Sequence, residues 1–192
     1  RLVGSEMCIR DRDYSQFMIM HHEIGLLIVF LLVFLFDTFL PKNAQSKLSV
    51  TACVLFGAYT LYGFFAPMTF GSAFAGMYET TPIVASIKNI LNVGMFIVLL
   101  QSIKWNNSES QIVRRGEFIE LMLLTLFGMY LMVSARHFLL FLIGLETASL
   151  PLAALVAFDK KQYESHEAAV KYIFTAVFSS AIYICLLYTS PS

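Results

Sequence analysis

The chain has 192 residues, of which 58% are hydrophobic and 14% charged, against about a quarter charged in an ordinary soluble domain. Its 13 basic and 13 acidic residues cancel, which excludes a basic nucleic-acid-binding surface, while three widely spaced cysteines (Cys8, Cys53, Cys185) exclude a disulfide scaffold and, without any CxxC or Cys/His cluster, a zinc site. A mean hydropathy of +0.71 leaves an integral membrane protein.

The two ends stand apart from the rest. Residues 1–12 read RLVGSEMCIRDR, with five charges and no apolar period. A secretory signal would need an apolar run beside its basic residues, and there is none. Residues 186–192, LLYTSPS, cut an apolar helix short with a turn-like Ser-Pro-Ser. Both ends resemble translated sequencing-adapter sequence and are set aside as non-native segments. A genuine amphiphilic N-terminus is the alternative for the first. The remaining core, 13–185, carries ten Lys/Arg and eleven Asp/Glu.

A spanning helix needs about 20 mainly apolar residues, and the core offers six such runs. They cover residues 24–40, ended by Pro41; 48–66, ended by Pro67; 82–103, with Pro82 at its start; 118–134; 137–158; and 164–185. Proline is tolerated at a first helical position because its missing N–H has no intrahelical partner there. No run alternates with period two, as barrel strands would. Backbone groups in lipid must satisfy one another, so the runs are helices and the fold class is all-α, with about six transmembrane helices. The connections are polar, residues 68–81 forming a Gly/Thr/Met loop and residues 104–117 the longest polar stretch.

Lysine and arginine counts in alternate loops set orientation. Loops one, three and five hold Lys42, Lys47, Lys104, Arg114, Arg115, Lys160 and Lys161, whereas loops two and four hold only Arg136. The odd loops are therefore expected in the cytoplasm and the N-terminus of the trimmed core outside.

Ionisable residues inside spans are costly, about 2.5–3.5 kcal/mol at the centre on insertion scales, and mark ion or proton paths. Lys88, Glu146 and Lys171 stand out. Glu146 lies about nine residues from one end of its span and twelve from the other, near mid-depth at ~1.5 Å per residue. Apolar neighbours favour its neutral form unless a cation faces it. It either handles protons or is a structural carboxylate bonded to a neighbouring helix. Lys171 lies about seven residues, ~10 Å, inside its span. Glu167 precedes it by four and shares its face. Lys171 either carries protons or snorkels to the interface. A depth difference of roughly 8 Å from Glu146 argues for a water-bridged relay over a direct salt bridge. Lys88, with Asn89 and Asn92 nearby, either snorkels outward or lines a polar cavity. Asp37 and Glu120 are read as interfacial. The run His21-His22-Glu23 is not read as a metal site, because adjacent residues point apart. Pro151 frees the carbonyl of Thr147 beside Glu146 and can bend the helix. There is no GxGxxG, P-loop or HExxH motif.

The stretch GLETASLPLAALVAFDKKQYESHEAAVKYIFTAVFSSAI resembles two consecutive helices of the subunit N family of bacterial NADH-quinone oxidoreductase, respiratory complex I. The family pattern G-(I/L)-E-x-x-S-L-P-L, a short basic loop and E-A-x-(I/V/L)-K-Y occur in order. The preceding FGMYLMVSARHFLLFLIGLE is similar to the family's preceding helix junction. The resemblance covers residues 14–184 and implies the first part of a fourteen-helix antiporter-like fold. It further implies proton translocation driven by NADH oxidation in other subunits, with Glu146 as the carboxylate that senses or gates and Lys171 as an early lysine of the channel; Glu167 and Lys88 join them as candidate proton-pathway residues from their positions in the spans. No cofactor is expected on this chain, NADH and quinone being used by the complex. Its expected partners are the other membrane subunits and the lipid of a bacterial inner membrane. The family's broken seventh helix and its lysine are not matched. Membrane subunits of multisubunit cation/proton antiporters and membrane-bound hydrogenases are a related alternative, though S-L-P-L after Glu146 favours subunit N. A passive membrane scaffold is an alternative of another class.

Overall fold

Each apolar run closes its backbone hydrogen bonds within itself, and the described residues form six helices. The computed structural model describes residues 19–39, 45–65, 70–74, 76–106, 115–158 and 163–189. The elements in chain order are α1 (His21–Phe39), α2 (Gln45–Phe65), β1 (Gly71–Ala73), β2 (Tyr78–Thr80), α3 (Pro82–Asn106), α4 (Arg115–Ser134), α5 (Phe138–Val156) and α6 (Tyr163–Thr189). All six helices are long and apolar enough to cross a membrane.

Helices α1 to α4 enclose one core, in which Leu26, Val33, Phe56, Leu99, Leu123 and Leu126 are buried. Helix α5 then lies along α4, and α6 along α5. The α4–α5 approach is set by glycine. A methyl on Gly128 would stand 2.4 Å from the backbone nitrogen of Ala148, and one on Gly144 would stand 2.7 Å from that of Met132. Small residues allow such backbone contact between helices in lipid, where packing replaces the hydrophobic drive. Helix α6 is the least covered element. Only Ala169 and Ser180 are buried along it.

The span limits differ from the sequence expectation in instructive ways. Helix α1 begins at His21 rather than 24, which brings Glu23 into the span. Helix α5 begins after His137, whose Nδ1 accepts the N–H of Leu139 at 3.2 Å and caps the helix. It continues through Pro151 to Val156. Helix α6 continues to Thr189, through four of the residues set aside as a tail. Residues 1–12 and 190–192 lie outside the described residues.

The loop at 68–81 holds a two-stranded antiparallel hairpin, with Ser72 opposite Glu79. Its turn uses Gly76 at φ 84°, a left-handed conformation that glycine adopts without a Cβ clash. The hairpin is clipped to the α4–α5 turn, where the N–H of Arg136 donates to the Met77 carbonyl at 2.8 Å. Arg136 also pairs with Glu79 at 2.5 Å. The start of α1, the end of α2, the start of α3 and the α4–α5 turn therefore meet at one end of the molecule, the hairpin end.

Candidate proton-handling sites in the helical bundle

At the hairpin end, a lysine in an apolar helix finds its counter-charge on another helix. Lys88 of α3 donates to Glu23 Oε1 of α1 at 2.6 Å, and the two side chains are 0% and 1% exposed. Lys88 Nζ also donates to the Tyr78 hydroxyl at 3.0 Å. It lies 5.2 Å from the centre of the Tyr78 ring and 5.7 Å from that of Tyr130, within the range of a cation–π attraction. Ser134 Oγ stands 3.5 Å from the same Glu23 oxygen. Burial, and then the Glu23 carboxylate, push the Tyr78 hydroxyl above its ordinary value. It stays protonated at neutral pH, neutral and able to accept from Lys88.

Two further tyrosine hydroxyls bond nearby. The Tyr130 hydroxyl donates to Asn92 Oδ1 and lies 3.3 Å from the Tyr59 hydroxyl. Tyr59 in turn donates to the His22 carbonyl at 2.7 Å. Lys88 thus neither snorkels nor sits alone. A buried pair is stable only when its charges and remaining lone pairs are met; Glu23, Tyr78 and Ser134 meet Lys88 Nζ and Glu23 Oε1, and Glu23 Oε2 is left without a partner among the described residues.

The second site lies between α5 and α6. Glu146 is half-buried, and Ser180 Oγ of α6 donates to its Oε1. Close by, a groove of about 250 Å³ is lined by Ser149, Tyr172, Thr175, Ser179 and Ser180. Among the described residues no cation pairs with Glu146. Lys171 pairs with Glu167 at 2.5 Å across one turn, on the uncovered face of α6, with side chains 73% and 52% exposed.

Of the residues that the sequence singled out, the structure joins Lys171 to Glu167 and keeps Glu146 and Lys88 in separate sites. Glu146 meets α6 at Ser180, nine residues beyond Lys171, or about 13 Å along the helix. That exceeds the rough 8 Å of the sequence count, which set the two helices level. In the structure the contacts Ser165–Val156 and Ser180–Glu146 match fifteen residues of α6 to ten of α5. Asp37 and Glu120 lie partly buried in the half of the bundle away from the hairpin. Glu23 and Ser180 were missed. A signal existed for the first, since a lysine a few residues inside α3 needs an anion at equal depth, and Glu23 stands at the matching end of α1.

Comparisons with known proteins converge on one set of relatives. Residues 135–189, which contain Glu146, Glu167 and Lys171, match the family described as NADH:quinone oxidoreductase/Mrp antiporter, TM. The chain is 44% identical over 171 residues to the NADH-quinone oxidoreductase subunit N of Azobacteroides pseudotrichonymphae, covering 88% of this chain and 36% of that one. It is likewise 44% identical over 172 residues to the subunit N of Phocaeicola vulgatus, covering 90% and 36%. The chain therefore spans about a third of the length of these curated relatives. A chain in the solved respiratory complex I of Thermus thermophilus with bound aureothin aligns with a TM-score of 0.63 at 24% identity, over 88% of this chain and 37% of that one. That likeness bears on the fold.

Proposed function

The chain belongs to the NADH-quinone oxidoreductase subunit N family, and we propose that it is the part of a proton-translocating membrane subunit that positions an intramembrane carboxyl, Glu146, for proton transfer. In this reading electron transfer from NADH to quinone takes place in other subunits of the complex, and its energy moves protons through this one. The matched family description also takes in antiporters. Both relatives at 44% identity bear the subunit N name, which favours the oxidoreductase. The partners are the other membrane subunits, and the location is the inner membrane of a bacterium, with the N-terminus outside.

The observation that carries the reading is the setting of Glu146. It sits near the middle of an apolar helix that backbone contact at Gly128 and Gly144 holds against α4, and its described partner is a hydroxyl, not a cation. A carboxyl so placed has no fixed counter-charge among the described residues and has a hydroxyl-lined groove close beside it. Glu167 and Lys171 form a charged pair on the same α6. They relay protons to Glu146 through water along the Thr175–Ser179 face, while Lys88 serves the hairpin side.

The test is Glu146→Gln in the full-length subunit within its complex. It keeps shape and the Ser180 contact while removing the ionisable group. Proton pumping in reconstituted vesicles should fall several-fold with the complex still assembled. Undiminished pumping would reduce Glu146 to a structural carboxyl.

A further inference from the structure

Around the Glu23–Lys88 pair lie buried polar atoms that the pair does not use. His22 Nε2, Glu23 Oε2, Asn89 Oδ1 and Asn92 Nδ2 have no hydrogen-bond partner among the described residues. Their residues are 2%, 1%, 6% and 0% exposed. Buried polar atoms are seldom left unpaired, so four at one ion pair point to a ligand that satisfies them.

Two of them, with the ring of His22, surround one glycine. A methyl on Gly63 of α2 would lie 3.1 Å from Asn89 Oδ1, 3.5 Å from His22 Cε1 and 3.8 Å from Asn92 Nδ2. Helices α1 and α3 thus bring polar side chains to the same side of Gly63, which puts no side chain of its own between them. Lys88 and Asn92 are four apart, and so share a face of α3.

The free atoms are complementary. Asn92 Oδ1 is taken by Tyr130, which leaves its amide hydrogens to donate. Asn89 Nδ2 donates to the Gly63 carbonyl at 3.4 Å, which leaves its oxygen to accept. His22 Nε2 does either according to its tautomer. Water fits such a set, since it needs two to four polar partners. An ion does not, because Glu23 and Lys88 already cancel and a third charge would be uncompensated in an apolar interior.

We propose that His22, Asn89 and Asn92 hold buried water beside Gly63, and that this water is the proton-exchange partner of the Glu23–Lys88 pair. The second part rests on the proton-translocating reading above. Across the 2.6 Å hydrogen bond an N–H bond of Lys88 breaks as an O–H bond forms on Glu23, leaving a neutral amine and a carboxylic acid with unchanged net charge. A half-turn of the protonated carboxyl carries that O–H to the side that neither Lys88 nor Ser134 engages, where the water accepts the proton as it releases one of its own onward to bulk water, and the carboxylate re-forms. The amine takes up the next translocated proton, which restores the ion pair.

The test is cryo-electron microscopy of the whole complex, at a resolution that reveals buried waters elsewhere in its membrane arm. Water density between His22, Asn89 and Asn92 is expected, and its absence would overturn the site. Gly63→Ala should remove that density and lower proton pumping per NADH oxidised at least twofold. Normal pumping without the water would overturn the exchange role. If Gly63→Ala blocks assembly, Asn89→Leu removes the acceptor, together with the bond to the Gly63 carbonyl, without adding bulk to α2, and is read in the same way. Pumping that falls in Gly63→Ala but not in Glu146→Gln would sink the Glu146 reading and leave this one standing.

Discussion

Lys88 and Lys171 sit in equally apolar helices and meet opposite surroundings. Lys88 is sealed against Glu23, so its loss would strand a buried carboxylate. Removing one partner of such a pair costs about 3–5 kcal/mol, while removing both can be nearly neutral. Lys88→Met should therefore lower the thermal unfolding temperature of the detergent-solubilised complex, or prevent its assembly. Adding Glu23→Gln should recover much of the loss. A Lys88→Met complex as stable as the unmodified one would contradict the pairing. Lys171 differs because an exposed pair one turn apart is worth only about 0.3–0.5 kcal/mol, so substitutions there report function more than stability. Lys171→Arg keeps a charge that can reach the interface but hardly deprotonates, and Lys171→Met keeps only the stem. A relay should pump poorly with both, whereas an anchor should tolerate arginine. Full pumping by the arginine variant would end the relay assignment. Lys88 was visible in the sequence as an intramembrane charge. Its partner was not, because the helix start was set at the first apolar residue, one position past Glu23.

The elements separate by what their glycines touch. A side chain at Gly128 would enter the backbone of α5, which cannot yield as a flexible side chain does, whereas a methyl on Gly94 would meet nothing within 4 Å. Gly128→Val should therefore push α5 off α4, moving Glu146 with it, and sharply reduce assembled complex on a native gel. Gly94→Ala should assemble normally. Equal amounts of the two variants would show that α4–α5 contact does not position the carboxyl. The six helices were legible because long charge-poor runs have no other stable form in lipid. Their limits moved by a few residues where polar groups extend a helix, as Glu23 does through Lys88, or cap it, as His137 does. The hairpin was not legible. Its strands are three residues each, too short for alternation to register, and its clip to Arg136 crosses more than fifty residues of chain.

For the molecule as a whole, the membrane orientation depends on which lysines and arginines reach water at each face. Seven lie in the odd loops and one, Arg136, in the even loops. The burial of Lys88 sharpens this contrast. Had it snorkelled, it would have added a second cation to the hairpin end, but it is 0% exposed and bound to Glu23. Arg136, the remaining cation there, lies on a tight turn beside Glu79. Positive charge resists transfer across the membrane, so the proposed orientation keeps the basic loops in the cytoplasm and turns the hairpin end outward. The Glu23–Lys88 pair would then lie towards the outer surface, and Glu167 and Lys171 towards the cytoplasm. Protons entering beside Lys171 would meet Glu146 before any route outward. The order of the sites thus stands or falls with the orientation, which single cysteines can settle. In the full-length subunit with native cysteines replaced, Ala44→Cys and Ser108→Cys should react with a membrane-impermeant thiol reagent only in inverted vesicles, and Ser72→Cys in the hairpin only in intact cells stripped of their outer membrane. Reaction of the first two from outside would invert the molecule and make Lys88 the entry-side residue.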